Sequence, residues 1–281
     1  MTIETIENYR SYRSYRSYRS YRQYSFLKKN PVHFVLPSIF RNFAVQKRMT
    51  GKMTLFITLT SLLQHLIDLD TALLLEINSH HSPFFDVFMP LYSGKWVWVP
   101  FYASLVFVIA RNYSWKVTLL SLLTAAIIIT FSDQVSAQLL RPEVERLRPS
   151  NLQNPISETV HIVNGYRGGN YSFPSAHAAN SWALVTYIIL LFRRKWLSLM
   201  MVAWAVLMCY SRMYLGVHYM GDLLAGMIIG AIGAMIMYWI FSSFSHHKAP
   251  TKVRDMWAPI VTGCFTVLVF VAISAVVSLS T

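Results

Sequence analysis

Long apolar runs constrain this chain more than any other feature of its 281 residues. A helix that crosses the hydrocarbon core of a bilayer needs ~20 mostly apolar residues in succession. Only 13% of the residues are charged, about half of the ~25% that a soluble domain usually carries. These features predict an all-α membrane protein, a polytopic bundle of six transmembrane helices. The predicted spans cover roughly residues 96–110, 116–140, 175–192, 196–215, 222–244 and 257–279.

The connectors between these runs predict the orientation of the chain. The connectors after the first, third and fifth runs contain eight basic residues and a single acidic one, Asp255. Connectors rich in Lys and Arg stay in the cytoplasm, which places the connectors after the second and fourth runs on the outer side. We therefore expect an integral membrane protein with its polar clusters on the outer side. The longest outward connector is predicted at about 141–174.

The N-terminal tail, residues 1–52, differs in composition from the rest of the chain. It holds 11 Lys/Arg against two Glu, a net charge of +9, whereas the remainder carries +4. A Ser-Tyr-Arg repeat runs from Ser11 to Arg22 and has no apolar face, so we expect disorder. The tail could attach to anionic lipids, or it could be a simple repeat translated upstream of a true start at Met49 or Met53, which we favour. Because the body is so apolar, we expect no nucleic-acid partner.

The segment before the first predicted span is less apolar than the spans. Residues 53–77 mix apolar stretches with one histidine and three carboxylates, which predicts an amphipathic helix at the membrane interface. A tail on the outer side would then violate the charge rule, and either a later start or a seventh span over 53–77 would remove that conflict. The predicted organisation is a basic tail (1–52), interfacial helices (53–94), a transmembrane core (95–245) and a cytoplasmic connector with the last span (246–281).

Three polar clusters lie at the outward ends of the predicted spans. The first runs from Arg141 and Pro142 to Arg148 and Pro149, the second comprises Pro174, Ser175, Ala176 and His177, and the third runs from Ser211 and Arg212 through His218 to Asp222. The planar guanidinium groups of the three arginines fit phosphate oxygens. The Ser175 hydroxyl and the backbone N–H groups at a helix start would add further donors.

The histidines of these clusters suit acid–base and nucleophilic chemistry. His177 and His218 could supply a nucleophile and a proton donor. Asp222 follows His218 by four residues, so on a helix it would face the imidazole and hold it in one tautomer. These separations give no known metal-ligand spacing, and Cys209 and Cys264 lie in apolar runs. We therefore predict no metal and no cofactor.

The three clusters resemble the motifs of the type 2 phosphatidic acid phosphatase family, which shares its core with vanadium haloperoxidases. The family pattern is Lys-x6-Arg-Pro, then Pro-Ser-Gly-His, then Ser-Arg-x5-His-x3-Asp, and this chain matches the third motif in full. Arg141 stands where Lys is usual and Ala176 where Gly is usual. The resemblance covers about residues 133–233 by motif and 59–245 by helix order.

This resemblance implies a haloperoxidase-like helical core and a phosphatase that works without a metal. It implies that His218 attacks phosphorus, Asp222 orients it, and His177 protonates the leaving oxygen. Water then hydrolyses the phosphohistidine. The implied phosphate-binding residues are Arg141, Arg148, Ser175, Ala176 and Arg212.

The resemblance also implies a phosphorylated lipid as the substrate, with its tails in the bilayer. We expect undecaprenyl diphosphate first, then lipid A, phosphatidylglycerol phosphate and phosphatidate. One alternative is a non-catalytic phospholipid-binding or transport protein on the same scaffold, which the presence of both histidines and Asp222 disfavours. Another is an oxidising vanadate enzyme, but those relatives are soluble, and six spans argue against it.

Overall fold

The computed structural model describes residues 50–280, and every regular element in that range is a helix. The α-helices are α1 (Thr50–Ser79), α2 (Pro83–Tyr92), α3 (Val99–Asn112), α4 (Trp115–Gln134), α5 (Arg141–Val144), α6 (Ala176–Phe192), α7 (Lys195–Tyr214), α8 (Met220–Ser245) and α9 (Trp257–Ser280). The chain packs as two compact units whose boundary follows Ser61, within α1. All contacts described below lie within residues 62–280. The tail with its repeat lies outside the described residues, so its disorder remains a prediction.

A helix occupies each of the six predicted spans, but not all six helices are long enough to cross a membrane by themselves. A π-helical stretch, Val135–Leu140, joins α4 to α5 in one 30-residue run. This run, α7, α8 and α9 could each cross a membrane by length and composition. Helices α2 and α3 qualify only as a pair bent by 71°, and α6 has only 17 residues. The described residues thus offer four spans, or five with the bent pair, and the predicted count of six is not reproduced.

The centre of the bundle is the pair α6 and α8, which pack closely because glycines line the contact. A Cβ atom at Gly226 would lie 2.4 Å from the Ser175 carbonyl oxygen, and one at Gly230 would lie 2.1 Å from the Ala179 carbonyl oxygen. Small residues let helix backbones approach in this way. The close approach also joins the two helix starts, since the Ser175 N–H donates to the Asp222 carbonyl at 3.0 Å.

Buried aromatic rings hold the bend between α2 and α3 against the rest of the bundle. The Trp98 ring lies edge-on to Trp204 of α7 and Phe270 of α9, with centroids 5.8 and 5.7 Å away. Its indole N–H donates to the Tyr92 carbonyl at 2.7 Å, so this large side chain is buried without losing a hydrogen bond. Helix α9 packs against both α2 and α3.

The three basic connectors meet on one side of the bundle. Arg111 at the end of α3 pairs with Asp255 before α9 at 2.9 Å, and Arg194 before α7 donates to the Pro250 carbonyl. Exposed tryptophans mark the same helix ends, as expected at a membrane–water interface: Trp115, Trp196, Trp239 and Trp257. The predicted grouping of the basic connectors thus matches their contacts.

Candidate active site

The three polar clusters meet at the opposite ends of the helices. His218 lies in the connector between α7 and α8, where Arg148, Arg212 and Arg141 all act on it electrostatically. His177 is the second residue of α6 and interacts electrostatically with Arg212, His218 and Arg148. Because the starts of α6 and α8 are hydrogen-bonded to each other, Ser175 of the second motif lies beside Asp222 of the third motif. The end of α7 carries Arg212 of the third motif.

His218 and Asp222 are adjacent and almost fully buried, with 1% and 0% of their surfaces exposed. The His218 Nδ1 atom lies 3.5 Å from Asp222 Oδ2, which is longer than a hydrogen bond. Asp222 is instead held by the Tyr219 N–H and by the Arg146 guanidinium, each at 2.9 Å. Catalytic hydrogen bonds are often long until the substrate is bound. The carboxylate is therefore fixed in place, with the imidazole within reach.

The surroundings of His218 keep its imidazole neutral. Burial, and next the positive charges of Arg148, Arg212 and Arg141, lower the pKa of His218 well below its ordinary value, which is about 6.5. A neutral imidazole has the free lone pair that a nucleophile needs at neutral pH.

The three predicted phosphate-binding arginines form a cluster of buried positive charge. Burial, and next the charges of Arg212 and Arg141, lower the pKa of Arg148 to about 10. Backbone carbonyls hold two guanidiniums: Arg141 donates to Pro174 and Arg148 to Tyr171, both at 3.1 Å. The Nε atoms of Arg141 and Arg212 are buried without a partner among the described residues. Uncompensated buried charge is costly, and an anion with two negative charges would offset it.

The start of α6 supplies the remaining predicted contacts. Ser175 is the N-cap residue, and its Oγ accepts from the Ala178 N–H at 3.4 Å, which leaves its hydroxyl hydrogen available to a ligand. Ala176 opens the helix, and the N–H groups of a first turn lack partners within the helix. Together with the positive end of the helix dipole they favour an anion. His177 is partly exposed there, as a proton donor to a substrate has to be.

The structure adds two residues to the predicted set, Arg146, which lies within the first polar cluster, and Asp70. Arg146 joins Asp222 at 2.9 Å to Asp70 of α1 at 2.8 Å, and its guanidinium stacks 3.7 Å from the Tyr219 ring. Asp70 also accepts from the Gly221 N–H at 2.9 Å. Asp70 lies 76 positions from Arg146 and 151 positions from Gly221 in the chain, so no local spacing could have indicated these contacts. The sequence signals were the place of Arg146 within the first polar cluster and, for Asp70, a carboxylate within a largely apolar segment.

Tyr166 marks the open side of the cluster. Arg212 donates to its hydroxyl at 3.2 Å, and 46% of the tyrosine is exposed. Burial raises the pKa of Tyr166, but the positive charges of Arg212, Arg148 and Lys95 outweigh burial and lower it overall. Lys95 acts on His177 as well, so a positive field extends from the buried arginines toward the solvent.

Comparison with known proteins places this arrangement in a family. A family model described as the PAP2 superfamily matches residues 115–246. A lipid A 4'-phosphatase of Bacteroides thetaiotaomicron is 51% identical over 194 residues, which cover 69% of this chain and 84% of that protein. The chain belongs to the PAP2 superfamily. A lipid A 4'-phosphatase of Porphyromonas gingivalis is 30% identical over 179 residues, covering 64% of this chain and 75% of that protein.

One solved structure that the comparison returns is the first transmembrane PAP2 type phosphatidylglycerolphosphate phosphatase from Bacillus subtilis. It is 21% identical with a TM-score of 0.46 and covers 69% of this chain and 94% of that chain. The predictions of a PAP2 family member, a helical membrane fold and a membrane lipid phosphatase are confirmed. All eight predicted site residues fall within the region that matches the PAP2 model, but the role of each residue remains a prediction.

Proposed function

We propose that this PAP2 enzyme removes the 4'-phosphate of lipid A at the outer face of the bacterial inner membrane. The observation that carries the proposal is 51% identity to a lipid A 4'-phosphatase over 84% of that protein's length. Undecaprenyl diphosphate, the substrate expected first from sequence, takes second place. The three guanidiniums and both histidines are the chemistry that any lipid phosphate would need, so they support the reaction rather than the choice of lipid.

In the first step the neutral imidazole of His218 attacks phosphorus. A bond forms between an imidazole nitrogen and phosphorus, while the bond from phosphorus to the lipid oxygen breaks. Asp222 stabilises the positive charge that develops on the imidazole. Once the negative charge of the phosphate lies beside it, His177 holds a proton and gives it to the leaving oxygen, which is a sugar alcohol and a poor leaving group without that proton.

In the second step water replaces the imidazole on phosphorus. His177, now neutral, takes a proton from the attacking water, so the bond between nitrogen and phosphorus breaks and inorganic phosphate leaves. His218 returns to its neutral form. Throughout both steps Arg141, Arg148 and Arg212 bind the equatorial oxygens, whose charge grows toward the transition state.

The position of the site in the bundle suits a lipid substrate. The polar clusters lie at the helix ends opposite the basic connectors, which by the charge rule face the cytoplasm. The phosphorylated headgroup would enter from the outer surface while the acyl chains stay in the bilayer. This topology supports a periplasmic active site.

The test is phosphate release by the purified chain in detergent from a panel of lipids. The panel contains lipid A phosphorylated only at the 4'-position, lipid A phosphorylated only at the 1-position, undecaprenyl diphosphate, phosphatidylglycerol phosphate and phosphatidate. We expect the 4'-phosphorylated lipid A to have the highest kcat/KM, with His218→Ala as the inactive control. A higher kcat/KM for another lipid would reject lipid A as the substrate. No release from any lipid would favour the binding or transport alternative.

A further inference from the structure

Three potential metal ligands lie together outside the three motifs. They are His81 in the linker between α1 and α2, Asp86 in the first turn of α2, and His161 in the outer connector before α6. One ligand atom from each lies within 4.8 Å of the other two. The His161 Nε2 atom is 3.0 Å from Asp86 Oδ1. Among the residues that the structure describes, this is the one such group of three.

Partly and fully buried hydrogen bonds position Asp86 and His161. The Tyr214 hydroxyl, at the end of α7, donates to Asp86 Oδ1 at 2.6 Å. Asn78, only 1% exposed, accepts from the His161 N–H at 2.7 Å and donates to the Tyr214 carbonyl at 2.6 Å. Two of the three ligands are thus positioned by other contacts. Such outer partners orient metal ligands and reduce the ordering that binding requires.

We propose that His81, Asp86 and His161 bind a zinc-type transition metal ion. Two imidazoles and one carboxylate, with water in a fourth position, are a common ligand set for Zn²⁺, whereas Mg²⁺ and Ca²⁺ prefer oxygen ligands. Ligands ~2.1 Å from one tetrahedral ion lie ~3.4 Å from each other, close to the separation of His161 and Asp86. The rings of His81 and His161 are stacked at 3.8 Å, and rotation of the exposed His81 ring turns a nitrogen toward the ion.

The ion would connect parts of the chain that carry the phosphate site. His161 belongs to the same outer connector as Arg148 and Tyr166, and Asp86 is bonded through Tyr214 to the end of α7, which carries Arg212. Binding would therefore stabilise the outer connector against α2. None of the three ligands belongs to the phosphatase motifs, so we expect the ion to stabilise the fold and to take no part in phosphate transfer.

The first test measures zinc bound to the full-length protein. The protein is purified in detergent with a tag that contains no histidine, stripped with EDTA, dialysed against ZnCl₂ and then against buffer, and analysed by mass spectrometry of the metal. We expect about one zinc per chain for the natural protein, and a loss of most of it in His81→Ala and His161→Gln. The matched control is His80→Ala, since His80 is also exposed but bonds to the Glu76 carbonyl; it should keep its zinc.

The second test measures thermal unfolding of the same stripped samples. ZnCl₂ in 100-fold excess over its Kd should raise the Tm of the natural protein by roughly 5 °C, while MgCl₂ should not. His81→Ala should lose this shift but keep the Tm of the metal-free natural protein, because the side chain is exposed. Zinc retention or a zinc-dependent Tm that is equal in His81→Ala and the natural protein would overturn the proposal. So would the absence of both in the natural protein, which would leave His161 and Asp86 as a hydrogen-bonded pair only.

Discussion

At the scale of single residues, the proposed mechanism divides the first chemical step between the buried residues His218, as nucleophile, and Asp222, as its partner. His218→Ala removes the attacking nitrogen and should abolish phosphate release from the lipid. Asp222→Asn keeps the shape but loses the charge that stabilises the imidazolium, so we expect a loss on the order of 10²–10⁴-fold, by analogy with triad carboxylates. Steady-state kinetics with lipid A measures both. Equal, complete loss in the two variants would contradict a merely orienting role for Asp222.

His177 has a different role, and its importance should depend on the leaving group. A sugar alcohol needs a proton as it departs, whereas nitrophenolate hardly does. His177→Ala should therefore reduce hydrolysis of the lipid far more than hydrolysis of p-nitrophenyl phosphate. The ratio of the two kcat/KM values, measured in the variant and in the natural protein, tests this. Acid-labile phosphate trapped on His177 rather than His218 would reverse the two assignments.

The lowered pKa of His218 gives a pH dependence with a definite sign. The imidazole loses its nucleophilic lone pair when pH falls through its folded-state pKa, and that pKa lies well below the ordinary value, about 6.5. We expect kcat/KM for p-nitrophenyl phosphate, corrected for ionisation of the substrate, to stay constant as the pH falls to 6.5 and to decline only below it. This substrate depends least on the proton of His177, so the decline reports His218. A decline that begins at neutral pH would show that His218 has an ordinary or raised pKa.

At the scale of elements, α1 reaches the active site through the ion pairs from Asp70 to Arg146 to Asp222. Arg146 holds the carboxylate that orients His218 in the proposed mechanism, so we expect it to act as a positioning residue. Arg146→Ala should lower kcat by about 10–100-fold, as loss of an outer partner does at metal sites, with little change in KM. Asp70→Asn should have a smaller effect in the same direction. Kinetics of both variants with lipid A would separate kcat from KM.

Controls for this prediction come from the same helix. Asp68 lies two residues from Asp70 but is exposed and bonds to Gln64, so Asp68→Asn should keep full activity. Arg146→Lys restores a positive charge and should recover part of kcat. Because Arg146→Ala leaves the buried Asp222 without its charged partner, which destabilises proteins, thermal unfolding has to show that the variant is folded. An increase in KM at constant kcat would indicate that Arg146 binds substrate instead.

At the scale of the whole molecule, the sequence predicted what depends on local pattern. The apolar runs indicated the helices, and the spacing from Arg212 through His218 to Asp222 indicated a site, because both signals lie within one or two elements. The ion pair between Arg146 and Asp70 could not be predicted, since it joins segments far apart in the chain. The count of six spans is not reproduced exactly, because α6 has only 17 residues and α3 reaches span length only together with α2 across a bend.

The sequence shows no metal-ligand spacing, and from this we predicted that the protein binds no metal at all. The structure places the candidate phosphatase site and the proposed zinc site on different residues, so the two can be tested separately. In the proposed mechanism phosphate transfer rests on histidine, so excess EDTA should leave kcat and KM for lipid A unchanged. If the trio of His81, Asp86 and His161 holds zinc, the same treatment should lower the Tm while activity at 25 °C persists. Parallel assays of activity and unfolding on one EDTA-treated sample test both parts. Complete loss of activity that Mg²⁺ or Zn²⁺ restores would contradict the phosphohistidine route, because metal-bound water would then be the better candidate for the nucleophile.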